Sequence, residues 1–82
     1  MIKEYVHQVE VVDKETNMVS YEDRVYRIED MGGDWWNLEC DGNHIAKVLS
    51  EEECRRIIWA YWTNIGMSMP YLEEDKFKVV ET

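Results

Sequence analysis

The chain has 82 residues, with 18 Asp and Glu against 9 Lys and Arg, a formal net charge of -9, and yet four Trp and five Tyr. That length holds one domain, taken as residues 1–82, with one modest core, and it excludes a separate cofactor domain or a deep catalytic cleft of ordinary size. The charge repels phosphate backbones and so argues against direct DNA or RNA binding, while the aromatic content sets the chain apart from acidic sequences too polar to fold.

From Lys3 to Val12 the residues alternate and include Tyr5, Val6, Val9, Val11 and Val12, which predicts a strand, because β-branched side chains pack well on a pleated surface. Asp13 to Asn17 is a short polar turn, and Met18 to Ile28 is a second strand carrying Val19, Tyr21, Val25, Tyr26 and Ile28. Gly32 and Gly33 supply residues able to take positive φ before a third strand, Trp35 to Cys40. Its alternation sets Trp36, Leu38 and Cys40 against Trp35, Asn37 and Glu39, burying one Trp. Asp41-Gly42 is a strong hairpin signal, and His44 to Val48 returns as a fourth strand.

Ser50 with Glu53 three residues on forms a capping box, and Glu51 and Glu52 add negative charge where the helix dipole favours it. A helix is expected from Glu51 to about Ile65, with Cys54, Ile57, Ile58, Tyr61, Trp62 and Ile65 on its core face and Gly66 at its end. Met67-Ser68-Met69-Pro70 breaks regular structure, and Phe77, Val79 and Val80 resume an alternating pattern that suits a short last strand or an extended tail. The expected fold class is α+β: an antiparallel sheet of four strands, with room for a fifth, and one amphipathic helix packed on one face.

No apolar run approaches the length of a membrane span, and Met1-Ile2-Lys3-Glu4 has no long apolar stretch of the signal-peptide kind. The expectation is a cytoplasmic protein with no membrane partner, whose Cys40 and Cys54 are reduced thiols or metal ligands rather than a disulfide. Cys40, His44 and Cys54 are the candidate ligands of a structural zinc, because a tight turn followed by a helix start brings three borderline-soft donors near one another. His7, Asp41 or water would complete the tetrahedron. The spacing is not a standard two-knuckle pattern, and the competing expectation is two small buried cysteines beside a polar turn histidine.

The carboxylates come in bunches, among them Glu51-Glu52-Glu53 and Glu73-Glu74-Asp75. Such bunches either solvate the surface or form an acidic rim that imitates a row of phosphates and attracts a basic protein. Trp59, placed off the apolar stripe of the helix, and Tyr71, beside Met69 and Pro70, are the candidate desolvated anchors of that contact. Ser20, Ser50 and Ser68 could be nucleophiles and His7 and His44 bases, but no spacing compels a catalytic pair, so a binding protein is expected rather than an enzyme.

In size, charge and aromatic content the chain resembles the small acidic inhibitors of bacterial defence carried by phages and mobile elements, and looks most like an anti-CRISPR protein acting on a Cas9-type nuclease. That resemblance implies a DNA mimic in the cytoplasm of a bacterial host that blocks target DNA from loading onto a basic surface while the guide RNA stays bound. Glu51, Glu52, Glu53, Glu73, Glu74 and Asp75 would then meet Lys and Arg of the partner, with Trp59 or Tyr71 as anchor. The alternative expectation is a structural or regulatory phage protein that acts through homo-oligomeric assembly, the free chain being a monomer or weak homodimer.

Overall fold

The computed structural model describes residues 1–67 and 69–81. Ser68, considered above as part of the post-helix break and as a candidate nucleophile, lies outside the described residues. Strands β1 (Ile2–Val12), β2 (Val19–Gly32), β3 (Trp35–Cys40), β4 (Asn43–Val48) and β5 (Lys78–Glu81) form one antiparallel sheet in the order β4-β3-β2-β1-β5. One helix, α1 (Glu51–Asn64), packs on it, and a short 3-10 turn at Glu74–Lys76 precedes β5. The fold is therefore α+β, with the fifth strand present.

The hairpins follow from their turn residues. Asp41 and Gly42 stand at φ +50° and +84°, the pair of left-handed residues a two-residue turn needs to match strand twist. β2 runs further than Ile28 because Asp30 and Gly32 continue the ladder opposite Trp36 and Trp35 through an irregularity between them.

Helix α1 starts where its capping residues dictate. Ser50 is extended, its Oγ accepts the Glu53 N–H at 3.2 Å, and the Glu53 carboxylate accepts the Leu49 N–H at 3.0 Å. At the other end Gly66 takes φ +91°, and the Gly66 and Met67 N–H groups donate to the Thr63 and Trp62 carbonyls, a Schellman closure that turns the chain back along the sheet.

The core joins Tyr26 and Ile28 of β2 and Leu38 of β3 to Cys54, Ile58 and Trp62 of α1, with Leu72 and Phe77 closing one side. Ile57 is partly buried against it, but Tyr61 and Ile65 are not core residues as their spacing predicted: they are 56% and 54% exposed. A single helix on a sheet buries only the stripe directly beneath it, here positions 54, 58 and 62, and residues to either side reach water. Trp36 is half-buried against the core, whereas Trp35 lies on the outer face with the Lys47 ammonium 5.5 Å from its ring centre. Among the described residues no helix is long and apolar enough to cross a membrane.

This packing sets an expected contrast. Ile58→Ala should cost about 2–5 kcal/mol, while Tyr61→Ala should cost less than about 1 kcal/mol. Urea unfolding of the two variants checks it, and comparable losses would put Tyr61 back in the core.

Candidate functional site

Lys3 is a buried ammonium on the helix-facing side of β1, directly opposite Ile28. Its Nζ lies 3.1 Å from both carboxylate oxygens of Glu51 and 3.6 Å from Glu74 Oε1. Glu51 is the first residue of α1 and Glu74 opens the 3-10 turn, so one cation brings together two acidic bunches more than twenty positions apart in sequence. The topology forces the meeting: β4 delivers the helix start to this end of the sheet, and the segment after α1 returns to the same end before entering β5.

The sequence-predicted acids thereby divide. Glu51 and Glu53 are engaged inside the fold, one by Lys3 and the other by the cap. Glu52 pairs with Arg56 at 3.6 Å on the open helix surface, and Glu73, Glu74 and Asp75 are exposed. Exposed pairs of this kind contribute little to stability, so Glu52, Glu73 and Asp75 are free to meet a partner at small cost to the fold. Trp59 and Tyr71 are half-buried with their rings 5.7 Å apart, and the Trp59 indole N–H donates to the Met69 carbonyl at 3.0 Å. They fasten the post-helix segment to α1.

The candidate zinc ligands sit in three different settings. Cys54 is fully buried in the core, where burial, reinforced by the Glu51 and Glu53 carboxylates, pushes its thiol up to about 11. Cys40, at the end of β3, is half-buried and also raised, first by burial and then by Asp41. His44 is exposed opposite Glu39, because an irregularity after Leu38 shifts the β3–β4 register and leaves Asn43 opposite Cys40. Strand alternation then sends His44 and Cys40 to opposite faces. The described residues hold no group of three or more His, Cys, Asp or Glu placed to bind a metal ion.

An aromatic row crosses the inner face. Tyr5 lies 5.4 Å from Phe77 and 6.3 Å from Tyr26, stacked on the latter, and the Tyr26 hydroxyl accepts the Trp62 indole N–H at 2.7 Å. Burial pushes the Tyr26 phenol up to about 12, so it stays protonated. His7 Nδ1 is 3.1 Å from the Tyr5 hydroxyl, its ring lies 4.7 Å from that of Trp62, and its Nε2 is buried with no hydrogen-bond partner among the described residues. Burial favours the protonated form of both thiols.

Sequence reasoning missed Lys3. The signal was present: on β1 it shares parity with Tyr5 and Val9, both packed against the core, and an inward lysine needs a carboxylate. Lys3→Met should therefore destabilise the chain by roughly 1–3 kcal/mol by stranding Glu51, and adding Glu51→Leu should restore much of the loss. Calorimetric unfolding of the single and double variants distinguishes this from simple loss of a surface charge, in which the second change would add nothing.

His7 adds a pH dependence. Burial lowers its pKa below the ordinary 6.5, so the unfolded chain takes up the proton more readily than the folded one. The stability it supports is present above pH 6.5 and is lost as pH falls from there through the folded value. Between about pH 7 and about pH 5.5 the wild type should lose more stability than His7→Gln, and parallel losses would clear His7 of any part. Comparison with known proteins gives no family model, no curated protein and no solved structure that matches this chain.

Proposed function

We propose that the chain is a protein inhibitor that occupies a basic, nucleic-acid-binding surface of a partner protein in a bacterial cytoplasm, with a Cas9-type nuclease as the partner. What supports this reading is the convergence at Lys3. Glu52 from one acidic bunch and Glu73 and Asp75 from the other stay exposed while their neighbours Glu51 and Glu74 are tied to a single cation, which gathers negative charge at one end of the sheet.

The outer face of the sheet differs. There Lys78 stands opposite Glu4, Glu4 opposite Arg27, and Arg27 opposite Glu39, so charges alternate across four strands and cancel. That row carries no net charge, in contrast to the acidic group around the helix start. A compact carboxylate cluster of this kind accelerates encounter with a basic groove and competes there with phosphate. No chemical step is required, since occupancy alone excludes DNA.

The test uses guide-loaded Cas9 and its target DNA. Wild-type protein should reduce target binding, and the effect should weaken as salt is raised. The triple variant Glu52→Lys, Glu73→Lys, Asp75→Lys should lose potency by about tenfold or more while melting like the wild type, because none of the three holds the core together. Unchanged potency in the triple variant would move the contact elsewhere. Absence of inhibition together with a mass that rises with concentration would favour homo-oligomeric assembly instead.

A further inference from the structure

Helix α1 and the short outer strands leave half of the β1–β2 hairpin uncovered. β3 pairs with β2 only from Tyr26 to Gly32, and β5 pairs with β1 only at Ile2 to Glu4. Among the described residues, Gln8–Val12 and Val19–Asp23 therefore form a two-stranded arm beyond the body of the sheet, with no strand on either edge. A two-stranded ribbon is marginally stable in water and gains from a third strand.

The β2 edge of this arm has a defined orientation. The Asp41 N–H donates to the Val25 carbonyl and the Asp41 carboxylate accepts the Val25 N–H, both at 2.9 Å, so Val25 directs its backbone groups to the β3 side. By antiparallel alternation Asp23, Tyr21 and Val19 direct theirs to the same side, where no strand among the described residues meets them.

At the base of that edge lies a cleft of about 320 Å3 bordered by Arg24, Cys40, Ile45, Ile57, Tyr61 and Trp62. Its walls are mainly apolar, and its one cation is already neutralised: Arg24 lies 2.9 Å from Glu22 and 3.8 Å from Asp41. Asp23 and, through its pairing with Tyr21, Glu10 add further negative charge along the arm. Edge-to-edge antiparallel pairing of two copies centred on this stretch would bring Glu22 of each copy against Asp23 of the other, which is unfavourable. A basic strand meets no such opposition.

We propose that the open edge of β2 at Val19, Tyr21 and Asp23 captures an extended basic segment of another protein as an added strand, with one apolar side chain of that segment seated in the cleft beside Trp62. Main-chain hydrogen bonds supply affinity, the cleft fixes register, and the carboxylates select Lys or Arg at alternate positions. This site is at the other end of the sheet from the Lys3 cluster and does not depend on the identity of the nuclease partner.

The probe is a blocked nine-residue peptide of alternating Lys and Val with a central Phe, followed by NMR on the full chain. Binding should slow amide exchange at Val19, Tyr21 and Asp23, and should weaken by about tenfold or more when the Lys residues become Glu, when a central Pro is introduced, or in Asp23→Lys. Ile45→Glu, at an exposed wall of the cleft, should weaken it similarly without disturbing the fold. Failure of the peptide to bind, or binding that survives the central Pro without amide protection, would overturn the proposal. Protection of the same three amides by raising protein concentration alone would also overturn it, in favour of a second copy.

Discussion

One helix has to cover a sheet that is longer than it is. Fourteen helical residues extend about 21 Å, whereas the fourteen residues of β2 extend about 46 Å. The helix can therefore shield about half of the long hairpin, and the buried core sits only under that half: Tyr26, Ile28 and Leu38 beneath Cys54, Ile58 and Trp62. The rest of β1 and β2 projects as the arm, and the molecule measures 49 × 23 × 22 Å. The apolar cleft occurs where this cover stops, beside Trp62 and Tyr61 in the last turns of α1.

The segment after the helix compensates on the other flank. The Schellman closure at Gly66 reverses the chain, the Trp59 hydrogen bond to Met69 holds it against α1, and Leu72 and Phe77 then enter the core beside Tyr5. This route carries Glu74 to Lys3 and β5 to the edge of β1. A short chain thus gains a third side to its core without a second helix, and the buried lysine fixes how the returning segment meets the helix start. A buried ion pair need not add net stability, but removing one partner leaves the other charge uncompensated, and Lys3 forms its pairs at the junction of three separate chain segments.

Much of the fold was legible because local signals agreed with one another. Asp41-Gly42 demanded a tight turn, Ser50 and Glu53 demanded a helix start, and the strands between showed the period of two. What failed were questions of coverage and facing. Tyr61 and Ile65 have helical spacing appropriate to a core, but spacing cannot say how wide a stripe the sheet will bury. Cys40 and His44 look adjacent across a turn, yet a one-residue register shift separates their faces. The capping role of Glu53 was legible, but Glu51 read as partner-facing charge because Lys3 becomes its neighbour only through tertiary packing. The arm could have been anticipated from strand lengths: two runs of ten or more alternating residues beside two of six leave unmatched edges whatever the topology.

The distribution of charge follows from the same geometry. Cross-strand neighbours on the outer face must alternate in sign or repel, and Lys78, Glu4, Arg27 and Glu39 alternate in balance, with Lys47 placed over Trp35. That uses several of the few basic residues, and Lys3 and Arg24 are consumed by carboxylates next to them. The uncompensated acids are left at the two places with least packing to satisfy, the helix-start end and the arm. At neither place does negative charge cost the core anything, so these are the regions where an acidic surface can be shaped by binding requirements alone. The two lie at opposite ends of the sheet, which means a flat partner touching one leaves the other open, and only an elongated basic surface or a wrapped segment can engage both.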